Sequence, residues 1–305
     1  MRATATPRWR KTGVRVLPGT LALAMLPAAP GVAQERPTVG TIVVAHGSDR
    51  AWNAPVLEIA SEAPVDGPVE VSFLMGREAP AYRFQDAAVR LVERGADRIV
   101  VVPLLVSSFG SHYDQIDYLT GGLGELDANM ARSLERMGLE RPPVEVPMEL
   151  TAALDASPEI ATVLAERALR LAETPAEQAL HIIGHGPNGA EDHAEWLRNL
   201  RPIADSIAVL TGFLDVQIGL VRDDASETVR AEAVRGIREV IELQHALTGR
   251  DVVVVPLLIS RGSLSTQRLP ADLDGLAIAY DGDGLLPHPE LSTWISRRVR
   301  EAVDD

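Results

Sequence analysis

Short apolar runs alternate with stretches of helical periodicity along most of the chain. The runs are rich in valine, isoleucine and leucine, which is typical of strands buried on both faces of a sheet. They predict strands at residues 39–45, 69–75, 98–106, 144–148, 180–184, 216–221, 252–259 and 276–280. This alternation indicates βαβ units, and hence parallel sheets with helices on both faces.

The predicted helices are recognised by apolar residues that recur at spacings of three and four. Each such set forms a stripe that faces the core of a folded domain. The three clearest stripes are Phe84, Ala87, Ala88, Leu91 and Val92, then Ile160, Val163, Leu164, Ala168 and Leu171, then Trp196, Leu197, Leu200, Ile203, Ala204 and Ile207.

The two halves of the chain resemble each other, and self-similarity of this kind indicates an internal repeat. Three matches occur in the same order in both halves. They are Val-Val-Ala-His46-Gly47 with Ile-Ile-Gly-His185-Gly186, the Val-Pro-Leu-Leu segments that end at Ser107 and Ser260, and Pro158-Glu-Ile with Pro289-Glu-Leu. We therefore predict two tandem α/β, flavodoxin-like domains at residues 38–173 and 176–303, each with a small parallel sheet flanked by helices, facing each other across a cleft.

Residues 1–33 differ in kind from the rest of the chain. They contain basic residues and no acid, then an apolar stretch, then the small residues Gly31-Val32-Ala33. This is the order of a secretory signal peptide, so we expect cleavage after Ala33 and export, with a periplasmic location. The alternative is an uncleaved membrane anchor, but prolines and a glycine interrupt the stretch, which is shorter than a bilayer-spanning helix.

The composition limits the kinds of partner and of metal site that the chain can have. The 305 residues have a formal net charge of −14, which argues against a nucleic-acid partner, and they include no cysteine. Any metal ion must therefore be held by His, Asp or Glu. After the leader, the sequence has no apolar run long enough for a membrane span, so none is expected in the mature chain.

Two histidines are placed where open parallel sheets bind ligands. His46 follows the first predicted strand directly, and His112 comes shortly after the third. With the strand order 2-1-3-4, these strands are neighbours and the two imidazoles meet across the crevice at their carboxyl ends. Such a pair can bind a borderline divalent metal ion and accept protons, although a purely structural role as turn residues is the simpler alternative.

These motifs resemble a known family. A His-Gly-Ser after the first strand, a Val-Pro-Leu-Leu third strand leading to His112, and a His-Pro before the last helix are similar to class II chelatases of the sirohydrochlorin cobaltochelatase type. The resemblance covers about residues 38–300 in two copies. It implies that a divalent metal (cobalt, with nickel or iron as alternatives) is inserted into a tetrapyrrole as two pyrrole protons leave, with His46 and His112 as catalytic and metal-binding residues and no organic cofactor.

Departures from the family pattern bear on the site. Many members have an acid in Phe-Leu-Glu after the second strand, whereas this chain has Met75 there, with Glu78 as a possible substitute. The second half keeps His185, but Leu264 or Ser265 stands where the first half has His112. We therefore expect the metal ion to bind in the first half, with the second half as a lid or wall. On this interpretation, His185→Ala has only a mild effect on metal affinity.

Just before the last helix of each half, a histidine is present in the second half and absent from the first. His288 lies there in the second half, whereas the first half has Ser157 at the corresponding position. The sequence assigns His288 no role.

Other residues allow competing interpretations. Ser48, Ser107 and Ser108 suggest a serine hydrolase, which the missing Gly-x-Ser-x-Gly elbow disfavours. The segment Arg222-Asp223-Asp224 is interpreted as a solvated helix cap, with a cation site as the alternative. Trp52 and Tyr113 either flank a flat ligand or pack in the core.

Two function classes remain open. One is a tetrapyrrole metal chelatase, for which a monomer suffices because one chain supplies both halves. The other is an exported, non-catalytic protein that binds a metal ion or a tetrapyrrole with the same fold. The intact histidine pair favours the enzyme, and the missing Phe-Leu-Glu acid and the leader favour the binding protein.

The leader predicts a mature N-terminus near Gln34, because the segment before it contributes no strand to the first sheet. N-terminal sequencing of the protein from its native host checks this. An intact Met1 on a soluble cytoplasmic product would contradict export.

Overall fold

The computed structural model describes residues 38–304, which form two four-stranded parallel sheets. The first sheet has the order β2-β1-β3-β4. Its strands are β1 (Val39–Ala45), β2 (Val69–Phe73), β3 (Arg98–Leu104) and β4 (Met148–Leu150). The helices of this half are α1 (Arg50–Glu62), α2 (Phe84–Glu93), α3 (Ser111–Thr120), α4 (Ala128–Met137) and α5 (Pro158–Leu171), with a 3-10 turn at Ala79–Ala81.

The second half repeats this order of elements, and its sheet has the order β6-β5-β7-β8. Its strands are β5 (Ala179–Gly184), β6 (Asp215–Leu220), β7 (Val252–Leu257) and β8 (Ile278–Ala279). Its helices are α6 (Ala190–Thr211), α7 (Glu227–Thr248), α8 (Leu269–Asp272) and α9 (Pro289–Asp304), with a 3-10 turn at Pro175–Glu177 and a π turn at Leu264–Arg268 before α8. The predicted α/β class and strand order 2-1-3-4 are confirmed.

The fourth predicted strand was wrong in position. The pattern placed it at residues 144–148, but β4 covers Met148–Leu150. Pro147 has no N–H to donate to a ladder, and its carbonyl instead accepts the Ile99 amide at 2.9 Å just before β4 begins. Val144 and Val146 still pack against the core of the first half, which explains their alternation without a strand.

The helix stripes agree with the burial, with one exception. Leu200, Ile203 and Ile207 of α6 are buried, but the Leu197 side chain is 36% exposed. Leu197 therefore lies at the edge of the apolar face.

The last helix of each half covers the sheet of the other half. Helix α5 packs on α6 and β7 of the second half, and α9 packs on α1 and β3 of the first. These helices begin at Pro158 and Pro289, the prolines of the third sequence match. The predicted boundary at residues 173–176 lies between α5 and β5 in the chain. In space, however, α5 packs on the second half and α9 packs on the first.

This exchange merges the cores of the two halves. One apolar cluster includes buried residues of β1 and β3 together with buried residues of β5 and β7. Trp294 of α9, which is fully buried, belongs to it. The opposite face of each sheet has a core of its own, so the shared cluster is what joins the halves.

A partly buried ion pair joins the two exchanged helices to each other. Arg297 of α9 donates from Nε and Nη2 to the two carboxylate oxygens of Glu159 of α5, at 2.7 and 2.8 Å. The Arg297 guanidinium lowers the pKa of Glu159 against the opposing effect of desolvation. A bidentate pair of this kind sets the direction of the crossing as well as adding stability.

The predicted signal peptide lies outside the described residues. Among residues 38–304, no helix combines the length and the apolar character that crossing a membrane requires.

Trp294→Ala is expected to lower the free energy of unfolding by about 3–5 kcal/mol, because it opens a large cavity in the shared cluster. Trp294→Phe should cost much less, since the buried Nε1 has no hydrogen-bond partner among the described residues and only packing is changed. Urea unfolding of both variants checks this. Equal losses for the two variants would contradict it.

Candidate functional site

The first-half histidines meet at the carboxyl edge of the first sheet. His46 follows β1 directly, and His112 lies in the first turn of α3, which follows the neighbouring strand β3. Their ring centroids are 4.9 Å apart, with the rings nearly perpendicular. The crevice expected from the strand order therefore brings together the two residues predicted from the sequence.

The His46 ring is held by the backbone of its own turn. Its Nδ1 lies 2.8 Å from the Gly47 carbonyl oxygen, which can only accept, so Nδ1 carries the proton. Gly47 has φ of +81°, and a Cβ there would lie 2.3 Å from the Met75 carbonyl oxygen. Only glycine fits this turn, and the turn leaves the Nε2 lone pair of His46 free to bind a ligand.

A different partner gives His112 the same tautomer. Its Nδ1 lies 3.1 Å from Gln115 Oε1 one turn further along α3. The Gln115 amide is oriented by its Nε2, which donates to the Met130 carbonyl at 3.3 Å. Oε1 therefore faces His112 as an acceptor, and Nε2 of His112 is free to bind a ligand.

Both imidazoles are held in the neutral form. Desolvation, then the neighbouring His112, lowers the pKa of His46 to about 4 despite the hydrogen bond from Nδ1 to Gly47. Desolvation also lowers the pKa of His112, against the opposing effect of its bond to Gln115. At neutral pH both rings thus present a lone pair rather than a proton, which is the state that binds a metal ion.

The second half repeats the histidine turn. His185 follows β5, and its Nδ1 lies 2.8 Å from the Gly186 carbonyl oxygen, as in the first half. The Nε2 of His185 faces Asp224 Oδ2 at 3.3 Å. Desolvation opposes the charged form of His185, but the carboxylate of Asp224 outweighs it and raises the pKa of His185.

The two histidine turns act on each other electrostatically. A charge on His185 lowers the pKa of both His46 and His112, and the charge on Asp224 raises both. In return, His46 and His112 lower the pKa of Asp224. The His185–Asp224 pair therefore lies within electrostatic reach of the first-half pair, and the expectation that the second half is a lid or wall stays a prediction.

Tryptophans hold the two strand ends face to face. Trp196 of α6 donates from Nε1 to the Phe109 carbonyl at 2.7 Å, in the loop that carries His112. Trp52 of α1 lies across from Gly262 in the loop after β7, where a Cβ would meet the ring at 3.2 Å. Each first helix thus contacts the third-strand loop of the opposite half, and Trp52 is a contact between the halves.

Asp155 fixes the loop before His112. Its Oδ1 accepts from the Ser108 amide at 2.8 Å and from Asn199 Nδ2 of α6 at 2.6 Å, and its Oδ2 accepts from Ser108 Oγ at 2.6 Å. Asp155 adopts φ of 45°, the left-handed region that Asn and Asp tolerate best among residues with a side chain. Sequence analysis assigned no role to this residue, although it lies three positions before Pro158 in the third match between the halves.

The other first-half candidates have structural partners. Glu78 Oε2 accepts from Asn53 Nδ2 at 3.0 Å, and Asn53 in turn caps the Ser48 amide. Ser108 is bound to Asp155, and the Ser107 hydroxyl accepts the Phe109 amide at 3.2 Å. The contacts of Ser107 and Ser108 therefore give no support to a serine hydrolase.

Packing accounts for two further candidates, and His288 has a partner on the first half. Tyr113 donates its hydroxyl to the Thr151 carbonyl at 3.1 Å, and Leu264 packs against the second-half core. His288 Nε2 lies 2.9 Å from Glu166 Oε2 of α5, so it ties the segment before α9 to the exchanged helix.

The helix-cap interpretation of Arg222-Asp223-Asp224 was wrong, because α7 begins after Ser226 as its N-cap. The alternative, a cation site, has geometric support, since ligand atoms of His185, Asp223 and Asp224 lie within 4.8 Å of one another. The sequence signal for this was an acidic pair just beyond the end of a strand.

Comparison with known sequences finds a family model and a curated relative. Residues 40–171 match the model of the CbiX family. The chain is 42% identical over 77 residues to a sirohydrochlorin cobaltochelatase of Sulfolobus acidocaldarius, an alignment that covers 25% of this chain and 59% of that relative. The chain thus spans less than two thirds of the length of this relative.

Solved structures show the same fold. The structure of SirB from Bacillus subtilis with Fe³⁺ superposes with a TM-score of 0.61 at 18% identity, covering 87% of this chain and 96% of SirB. The sirohydrochlorin chelatase SirB from Bacillus subtilis subspecies spizizenii in complex with cobalt gives 0.56 at 18% identity, covering 88% and 96%. A multi-domain Deinococcus radiodurans protein with structural similarity to chelatases gives 0.52 at 17% identity, covering 86% and 54%. The two-domain arrangement of this chain is therefore a chelatase fold.

Asp155→Ala is expected to lower the free energy of unfolding by about 2–3 kcal/mol, because it leaves the groups of Ser108 and Asn199 without their acceptor. Asp155→Asn should cost less, since it keeps an acceptor oxygen and tolerates the left-handed backbone. Urea unfolding of the two variants checks this. If Asn destabilises as much as Ala, the hydrogen bonds are not what holds the loop.

Proposed function

We propose that this chain, whose residues 40–171 match the model of the CbiX family, is a class II chelatase that inserts a divalent metal ion into sirohydrochlorin or a related tetrapyrrole. Cobalt is the first candidate for the metal, with nickel and iron as alternatives. The observation that carries the proposal is the His46–His112 pair, two neutral imidazoles with free Nε2 atoms in a crevice between strand ends.

The histidine pair fits the task of presenting a metal ion. Imidazole nitrogen suits borderline divalent ions such as Co²⁺, Ni²⁺ and Fe²⁺. The bonds from Nδ1 of His46 and His112 to Gly47 and Gln115 fix the rings before the ion arrives, so little rotational freedom is lost on binding. A chelatase must also release the ion, which favours a site with few protein ligands over a closed one.

Insertion exchanges one divalent ion for two pyrrole protons. As the macrocycle nitrogens bind the metal, their two N–H bonds break and the protons pass to a base or to water. The pKa of about 4 makes His46 a good metal ligand but a weak base. We therefore assign His46 and His112 to presentation of the metal, and His185, whose pKa is raised, is the stronger base nearby.

The alternative function is an exported protein that binds a metal ion or a tetrapyrrole without turnover. Met75 supports this alternative, because a methionine at this position supplies no carboxylate as a further metal ligand beside His46 and His112. Export through the leader, a periplasmic location and a monomeric state remain parts of the proposal for either function.

We expect the purified full chain to insert Co²⁺ into sirohydrochlorin, followed by the change in the absorbance spectrum of the macrocycle. His46→Ala and His112→Ala should each lower the rate about 100-fold or more, because each removes one of few metal ligands. The matched control is His245→Ala, which changes a half-buried histidine in the last turn of α7 that hydrogen-bonds the Arg250 carbonyl.

The outcomes separate the two functions. A wild-type chain that binds Co²⁺ and sirohydrochlorin but never combines them is a binding protein. A His46→Ala variant that inserts cobalt at the rate of the His245→Ala control would overturn the assignment of the site.

A further inference from the structure

We propose that the loops after the third strands of the two halves recognise a flat ligand whose rim bears carboxylates. Phe109 of the first half contacts the face of the ring, and Arg261 of the second half pairs with a carboxylate. The inference rests on the proposed function for the identity of the ligand, a tetrapyrrole of the sirohydrochlorin type.

The two loops occupy corresponding places in the duplicated fold. Strands β3 and β7 hold the same position in their sheets, and the matching Val-Pro-Leu-Leu segments end at Ser107 and Ser260. Phe109 comes two residues after Ser107, and Arg261 directly follows Ser260. Both residues therefore lie at the carboxyl edge of a parallel sheet, which is where such sheets bind ligands.

Phe109 is an exposed aromatic residue held in a fixed loop. It is 41% exposed, whereas the other three phenylalanines of the chain are buried, namely Phe73, Phe84 and Phe213. The Phe109 amide donates to Ser107 Oγ at 3.2 Å, and its carbonyl accepts from Trp196 Nε1 at 2.7 Å. A loop that is fixed on both sides of an exposed ring offers an apolar surface to a flat ligand.

Arg261 has a guanidinium group that the protein has already oriented. Its Nη1 donates to Asp283 Oδ1 at 2.8 Å, and its side chain is 56% exposed. Asp283 is itself held, because its Oδ2 accepts from Arg170 at 3.1 Å and its amide donates to Asp281 Oδ1 at 2.9 Å. Arg261 makes no other side-chain hydrogen bond within residues 38–304, so its remaining N–H groups can donate to a ligand.

Both loops border the histidine pair. Phe109 lies three residues before the second histidine of the pair, in the loop that leads into α3. Arg261 precedes Gly262, where a Cβ would lie 3.2 Å from Trp52 Cδ1. The Trp52 ring centroid is in turn 6.3 Å from that of His46. An apolar group and a cationic group from opposite halves therefore lie beside the same pair of histidines.

The two groups match the two parts of a sirohydrochlorin-type tetrapyrrole. The macrocycle is flat and conjugated, so an aromatic side chain packs well against its face. Its rim bears carboxylates, and a guanidinium pairs with a carboxylate through two parallel N–H···O bonds. A fixed cation matters in this protein because its formal net charge of −14 repels a polyanionic ligand.

The test is titration of the full chain with metal-free sirohydrochlorin, followed by the quenching of tryptophan fluorescence. A second titration uses the esterified macrocycle, which keeps the ring and lacks the negative charges. We expect Arg261→Gln to weaken sirohydrochlorin binding about tenfold and to leave binding of the ester unchanged, because only an ion pair is lost. Phe109→Ala should weaken binding of both about fivefold, because both have the ring.

The matched controls lie on the exposed surface of α7. Arg235→Gln removes the same charge from a side chain that is 66% exposed, and Leu243→Ala shortens an apolar residue that is 69% exposed. Both variants should bind like the wild-type chain. Arg261→Lys keeps the charge without the planar fork and should recover part of the affinity. Circular dichroism of each variant confirms that it is folded.

Three results would overturn the inference. Arg261→Gln could bind sirohydrochlorin as tightly as Arg235→Gln, it could lose as much affinity for the ester as for the acid, or Phe109→Ala could bind like Leu243→Ala. A chain that inserts cobalt but gives any of these results keeps the proposed function and loses the inference. A chain that binds sirohydrochlorin through both residues but never inserts cobalt refutes the proposed function and supports the inference.

Discussion

The exchange of the terminal helices α5 and α9 is the constraint on which the rest of the structure depends. Each helix buries its apolar face under the sheet of the other half, so neither half has a complete core by itself. Trp294 is the largest side chain in this shared cluster, and the Arg297–Glu159 pair sets how the helices cross. A tandem pair joined only by a linker would be free to rotate, whereas here the core fixes the strand ends opposite each other.

That fixed opposition gives the cleft its chemistry. The carboxyl edges of two parallel sheets face each other, and each first strand is followed directly by a histidine and then by a glycine with positive φ. The turn points Nδ1 of His46 and of His185 back at a carbonyl and leaves Nε2 for the cleft. Local backbone geometry therefore determines that Nδ1 carries the proton in both histidines. What differs between the two turns is the set of charges around them.

The two halves differ in the residues around their histidine turns. His112 has no imidazole counterpart in the second half, where Leu264 packs into the core instead. After the second strand, the second half has Asp224 beside its histidine, whereas Glu78 of the first half is bound to Asn53. Desolvation keeps His46 and His112 neutral, while Asp224 favours a charged His185. The two histidine turns are therefore alike in backbone geometry and different in the charges that surround them.

The sequence by itself determined the parallel sheets, their strand order and the meeting of His46 with His112, because apolar runs and the order of a βαβ chain leave few topologies open. It also showed the duplication, since the matches around His46, Pro103 and Pro158 recur in the same order. The position of β4 escaped it, because Val144 and Val146 alternate like a strand while packing as a loop. Only the tertiary structure decided that α5 and α9 each pack on the opposite half, that Asp155 holds the loop before His112, and that Asp224 faces His185. These depend on contacts between residues far apart in the chain, where no local pattern of polarity records which surfaces will touch.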